Sequence, residues 1–252
     1  MRSSAEREQV TRLIAAGLND CQIERETGIP RRTISDWRRG RGGAGPSARA
    51  SSTCAICAGA PERLPPTSYA YLLGAYLGDG YLVHMRRGVY RLRVACDLLH
   101  LNIAWWIALA IEDVRGCRAA LQPRLHSRAL DVSSYWKHWP CHFPQHGPGR
   151  KHARPMALEP WQPRIVDAHP DQLVRGLIHS DGSRYINRIK HPKRTYEYVR
   201  YEFTNRSEDI KRIFCDACDA LGVEWRVMNR DSISVARRDS VARLDEFIGP
   251  KR

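Results

Sequence analysis

Near the N-terminus, Val10, Leu13, Ile14 and Leu18 recur at helical spacing along a segment from Arg7 to Gly17, and the glycine offers a stop. Asn19 and Asp20 can cap a second short helix that carries Cys21, Ile23 and Glu24 and closes at Thr27 and Gly28. Pro30 then suits the first turn of a third helix, which turns Ile29, Ile34 and Trp37 inward and leaves Arg31, Arg32, Thr33 and Ser35 near its exposed start, with Arg38 at its end.

A helix, a glycine turn and a basic helix form the pattern of helix-turn-helix DNA readers, whose second helix enters the major groove. The segment resembles the small domains of resolvases and transposases; the alternative is a three-helix protein-interaction module. Beyond it, Arg39, Arg41, four glycines, Pro46 and a run of Ser and Ala reaching Thr53 have the composition of a flexible tether. The expected organisation is a helical domain over 1–40, a linker with a CxxC motif over 41–66, and a larger core over 67–252.

The core contains a repeat. Residues 72–80 and 174–182 share glycine at the third position (Gly74, Gly176) and end in Asp-Gly, and their aspartates are 181 − 79 = 102 residues apart. As helices, Gly74 with Gly78 and Gly176 with Ser180 make matching flat stripes, so the two helices can approach closely. The final glycines suit left-handed C-terminal positions, and Asp79 and Asp181 then emerge side by side at one end of the pair.

Each motif is followed by a hairpin pattern. Residues 81–85 and 89–94 flank a turn at Arg86-Arg87-Gly88, and residues 184–190 and 196–203 flank a basic loop. One hairpin face packs on helices, and the other offers Arg91, Arg93, Arg184, Arg188, Lys190 and Arg200 to a duplex or to solvent. Helical patterns at 99–114 and 207–221, two more strands and a closing helix complete each half, so the fold class is α+β: two αββαββα halves (67–147 and 171–252, joined by 148–170) behind a small all-α domain.

Charge sharpens this picture. Lys and Arg total 41 against 27 Asp and Glu, a formal net charge of +14, and a surplus of this size gathers phosphates. No apolar run approaches the ~20 residues that span a bilayer, and residues 1–9 are polar, so the chain is expected in the cytoplasm, on the nucleoid. A carboxylate at a helix C-terminus faces the negative end of the macrodipole, which a divalent cation would relieve. Asp79 and Asp181, with the terminal carbonyls at Gly78 and Ser180, are hard oxygen donors suited to Mg²⁺ and to phosphodiester hydrolysis.

With both motifs, their spacing and the strand order in view, residues 67–252 resemble the LAGLIDADG homing endonucleases in their single-chain, pseudo-twofold form. The resemblance implies a monomer that cuts double-stranded DNA with Mg²⁺ held by the last acid of each motif, here Asp79 and Asp181. It also implies a base near each metal where the last strand meets the closing helix: Arg237 or Arg238 in the second half. In the first half the matching stretch is Ser133-Ser134-Tyr135, with Lys137 as substitute. Leu77 and His179 stand where the namesake motif has an acid. The alternative function is a sequence-specific transcriptional regulator on an inactive scaffold, as in sporulation regulators that join such a core to a helix-turn-helix domain in the reverse order.

Eight cysteines without a secretory signal point to free thiols or metal ligands. Cys54 and Cys57 have the spacing of half a zinc site, which Cys215 and Cys218 could complete. Residues 141–154, rich in His, Pro, Gly and base, read either as a phosphate-contacting strap or as a surface linker. Trp105, Trp106, Trp136, Trp139 and Trp161 are expected in the core or bracing that linker.

Overall fold

The computed structural model describes residues 4–38, 54–125 and 127–249. They form two units, with the tether expected over 39–53 lying outside the described residues.

In the first unit α1 (Ser4–Ala15), α2 (Asp20–Thr27) and α3 (Arg31–Arg38) enclose Val10, Ile23, Ile29 and Ile34, with Leu13, Ile14, Leu18 and Trp37 at the margin. Asn19 caps α2 reciprocally: its Oδ1 accepts from the Cys21 and Gln22 amides, and Gln22 Oε1 accepts from the Asn19 amide at 2.9 Å. Gly28, at φ 69°, takes the left-handed turn that ends α2.

The second unit is mixed α+β, with two halves of the same element order. The first runs α4 (Pro66–Asp79), β1 (Gly80–His84), β2 (Tyr90–Asp97), α5 (Leu101–Arg115), β3 (Ala120–Pro123), β4 (Ala129–Trp136) and α6 (Trp139–His142). After a connector bearing α7 (Gln162–Val166), the second runs α8 (Pro170–Asp181), β5 (Gly182–His191), β6 (Arg194–Thr204), α9 (Glu208–Ala220), β7 (Arg226–Val227), β8 (Ser232–Val235) and α10 (Arg238–Ile248). Each half has a four-stranded antiparallel sheet, in the orders β1-β2-β4-β3 and β5-β6-β8-β7.

The repeat helices α4 and α8 pack against each other in the middle of the core, and glycine sets their separation. A Cβ on Gly74 would collide with the Leu173 carbonyl oxygen and lie 2.8 Å from the Leu177 nitrogen; one on Gly176 would collide with the Tyr71 carbonyl oxygen and lie 2.9 Å from the Ala75 nitrogen. Backbone meets backbone, so neither side can yield without moving a helix. Gly176→Ala is therefore expected to lower unfolding free energy by about 3 kcal/mol, measured by urea denaturation, a cost at the upper end of core overpacking.

The Asp-Gly junctions depart from the left-handed expectation. Gly80 sits at φ −85°, ψ 151° and Gly182 at φ −102°, ψ 163°, both extended. Glycine is needed there for space: a Cβ would lie 2.5 Å from Tyr76 Cα or 2.6 Å from Ile178 Cα, because the chain turns straight from helix into strand across its own last helical turn.

Trp139 is fully buried and Trp161 packs on the core, but Trp105 and Trp106 are 59% and 44% exposed, against expectation. The buried stripe of α5 is Ile103, Ala104, Ile107, Ala108 and Ile111, and positions 105 and 106 fall outside that helical period. Trp106 instead covers the Arg175 guanidinium, 4.1 Å from the ring centre.

Candidate metal centre and nucleic-acid interface

Because α4 and α8 touch through glycine and end at the same offset, their last residues come together. A Cβ on Gly78 would lie 2.5 Å from Ser180 Cβ and 3.1 Å from Asp181 Oδ2. Into this end reaches Lys151, whose Nζ donates to the carbonyls of Tyr76, Leu77 (3.0 Å) and Gly78 (2.6 Å) and lies 5.0 Å from the centre of the Tyr76 ring. Burial pushes this ammonium down to about 8, while the carboxylates of Asp181 and Asp79 pull it up. The negative end of α4 thus has a resident cation, which both motif carboxylates favour.

No reading of the motifs alone identified Lys151. It comes from the 141–154 segment, which is stitched down rather than loose: Tyr69 Oη donates to the His142 carbonyl at 2.6 Å, Gln145 Nε2 donates to Gln162 Oε1 and the Ala157 carbonyl, and Arg154 donates to the Gln145 carbonyl. The mixture of base with Gly and Pro in that segment was the available signal.

The two carboxylates have different neighbours. Asn205 Nδ2 donates to Asp181 Oδ2 at 2.6 Å. Gly80 pairs with Val94 and Gly182 with Phe203, an offset of 203 − 94 = 109, so the first-half counterpart of Asn205 is Cys96. Cys96 lines a cleft of about 220 Å³ with Asp79, Asp97, His100, His179 and Ser180. His179 is itself structural, joining the Tyr71 hydroxyl and the Ile248 carbonyl, both at 2.9 Å, one from each half. The Ser180 hydroxyl bonds back to the Gly176 and Leu177 carbonyls at 3.0 Å. The donor set fits a hard divalent cation, since Asp79 and Asp181 are hard oxygen donors at the negative ends of two packed helices; the Gly78 carbonyl, an expected metal ligand, accepts from Lys151.

Strand parity sorts the basic residues. In the first sheet Leu92, Val94 and Cys96 face the helices, leaving Arg91 and Arg93 on the outer face with Tyr81, Asp131 and Tyr135. Arg93 and Arg124 both pair with Asp131; burial alone would raise that carboxyl, but hydrogen bonds and charge from the two guanidiniums hold it below its ordinary value. Arg91 donates to Gln122 and Ser133 and lies 5.5 Å from the Tyr135 ring centre.

In the second sheet Tyr201 and Phe203 face inward, so Arg184, opposite Tyr201, is turned to the helix side. It binds both oxygens of Asp245 on α10 at 2.8 Å and is withdrawn from the outer face where it was expected. Arg188 and Lys190 share its parity, exposed toward the hairpin tip, with Arg188 paired to Glu197 at 2.7 Å. Arg200 and Arg226 are on the outer face and, with Trp225, Met228 and Arg237, line a cleft of about 530 Å³.

The expected strand–helix bases need realignment. Val132 pairs with Val94 and Ile233 with Phe203, an offset of 233 − 132 = 101, which matches Arg237 to Trp136 rather than to Ser133–Tyr135, and Arg238 to Lys137. Arg237 is paired with Glu224, and Lys137 is exposed.

In the three-helix unit, Arg31 pairs with Glu24 at 2.7 Å, and Arg38 pairs with Asp20 at 2.8 Å and donates to the Leu18 carbonyl, so both brace α3 against α2. Arg32 is exposed, and Thr33 and Ser35 are half-buried.

The cysteine expectation is corrected in part. Cys54 and Cys57 gather with His138 and Cys141, ligand atoms all within 4.8 Å of one another, and not with Cys215 and Cys218, which are buried on α9. Residues 54–60, assigned from sequence to a flexible linker, form a hydrogen-bonded turn with Ala55 and Ile56 against the core. The spacing of His138 and Cys141 was readable in the sequence, but only the fold brings it beside Cys54 and Cys57. No described helix is long and apolar enough to cross a membrane.

No protein-family signature and no curated protein matches the sequence. Among solved structures the chain is similar to mesophilic variants of the homing endonuclease I-DmoI, at 14% identity over 73% of this chain and 97% of that one, TM-score 0.46. It is similar to I-DmoI in complex with DNA and Mn, at 15% identity over 73% and 98%, TM-score 0.46. The N-terminal LAGLIDADG domain of WhiA is also similar, at 13% identity over 74% and 84%, TM-score 0.44.

Proposed function

We propose that this chain is a site-specific, metal-dependent endonuclease for double-stranded DNA of the LAGLIDADG type. The observation that carries the reading is the delivery of Asp79 and Asp181 to one end of two glycine-packed repeat helices, where a single lysine feels both charges. Asp79 and Asp181 would hold a divalent ion, which supplies charge stabilisation at the scissile phosphate and an acidified water.

The chain's own groups do the rest. Asn205 fixes the orientation of Asp181, and Lys151 offsets the helix carbonyls and carboxylates that would otherwise repel a phosphate. The outer sheet faces present Arg91, Arg93, Arg124, Arg200 and Arg226 to the duplex, where arginine suits both phosphate and guanine edges. Arg188 and Lys190 at the hairpin tip add phosphate contacts. The three-helix unit acts as a helix-turn-helix reader of a flanking site through Arg31, Arg32, Thr33, Ser35 and Arg38.

A second reading, a DNA-binding regulator that does not cut, is favoured by one feature: Lys151 already occupies the Gly78 carbonyl beside the carboxylate pair.

DNA recognition is tested by selection from a random duplex library in Ca²⁺, followed by footprinting. One extended site is expected, with affinity falling by ~10³-fold or more between about 50 and 200 mM salt, the dependence of an interface with several phosphate contacts. Removing residues 1–40 is expected to weaken binding and shorten the footprint at one end; an unchanged footprint reassigns that unit to protein contacts.

A further inference from the structure

Cys54, Cys57, His138 and Cys141 lie apart from the carboxylate pair and serve no step of DNA cleavage. Cys57 Sγ is 3.4 Å from His138 Nδ1 and 3.4 Å from Cys141 Sγ, and Cys141 Sγ is 4.0 Å from the same nitrogen. A tetrahedral ion with Zn–S near 2.3 Å and Zn–N near 2.0 Å sets its ligand atoms about 3.5–3.8 Å apart. The cluster is therefore already close to that size. A disulfide would need sulfurs at about 2.05 Å, and all the cysteines are free.

The local backbone also holds the first pair together: Cys54 opens a tight turn in which its carbonyl accepts from the Ala58 amide at 3.0 Å and the Ala55 carbonyl accepts from the Ala60 amide at 2.9 Å. His138 and Cys141, three residues apart, sit just before and within α6, where the Trp136 ring packs edge-on against His138 at 5.3 Å. Three soft sulfurs and one imidazole select zinc over the hard cations that suit the aspartates.

We propose that these four residues hold one structural zinc ion, which staples the chain just ahead of α4 to the end of the first sheet. The ion closes a loop of more than eighty residues and fixes the start of the core whether or not the protein cuts DNA.

The test uses the full chain purified under reducing conditions without chelator. Elemental analysis is expected to find about one zinc per chain, falling below ~0.2 in Cys57→Ser and unchanged in Cys117→Ser, whose thiol is exposed and outside the cluster. Removing zinc from the wild type is expected to lower the melting temperature by roughly 5 °C or more. Because the variants can fail to fold, the metal-free wild type is also titrated with Co²⁺. Tetrahedral ligand-field bands with sulfur-to-cobalt charge transfer are expected, the latter weaker by about a third in a folded Cys141→Ser. Less than ~0.1 zinc per chain together with no tetrahedral cobalt spectrum overturns the proposal. So does recovery of a Cys57–Cys141 disulfide in place of the ion.

Discussion

Replacing Asp79 or Asp181 with asparagine is expected to reduce DNA cleavage by ~10³-fold or more while leaving affinity for the selected duplex unchanged or higher, since metal and charge contributions at a scissile phosphate are of that order. The substitution keeps shape and removes charge. At position 181 the new amide oxygen still accepts from Asn205, so the 2.6 Å contact seen with Asp181 Oδ2 survives. The fold should survive too, because asparagine has the same shape and Lys151 keeps its bonds to the Leu77 and Gly78 carbonyls. Affinity does not fall because each lost charge had repelled the backbone phosphates. Single-turnover cleavage and equilibrium binding on the same duplex separate the two effects, and parallel loss of both counts against the assigned roles.

Lys151→Met is the second large effect, and it acts on stability as well as cleavage. Methionine fills similar space but removes the Lys151 donor from the Leu77 and Gly78 carbonyls, while the Tyr76 carbonyl keeps the Gly80 amide, and it takes away the cation that both carboxylates favour. Loss of a buried, charge-assisted set of hydrogen bonds is expected to lower unfolding free energy by about 2–4 kcal/mol. Added Mg²⁺ should raise the melting temperature of this variant more than that of the wild type, because a divalent ion then has no ammonium to compete with. A variant as stable as wild type, with no greater response to Mg²⁺, would remove Lys151 from the centre.

Much of the fold was legible because its strongest signals are periodic or repeated. The Asp79 and Asp181 motifs, the hairpins after each and the α5 and α9 patterns mark a duplicated αββαββα order, and the Gly74 and Gly176 stripes implied the close helix contact that the structure contains. Three features were not legible. Lys151 reaches Gly78 from 73 residues away, and no local pattern reports such a pairing. Arg184 reads as an exposed strand base, yet its register opposite Tyr201 sends it to Asp245; a shift of one residue in strand parity decides this. Spacing pointed the Cys54 and Cys57 pair to Cys215 and Cys218, whereas the fold brings His138 and Cys141 beside it because β4 ends there. The Asp-Gly junctions show a subtler miss, in which the right residue was expected for the wrong reason: Gly80 and Gly182 make room for a sharp exit from the helix and do not adopt a left-handed turn.

The most direct measurement is cleavage of the selected duplex mapped on both strands, in Mg²⁺, in Ca²⁺ and with chelator, for the wild type and Asp79→Asn. The proposed endonuclease activity predicts cuts at fixed positions on both strands that appear with Mg²⁺, are absent with chelator and vanish in the variant. A duplex that is bound tightly and specifically yet stays intact in Mg²⁺ would contradict it and make this chain a DNA-binding regulator.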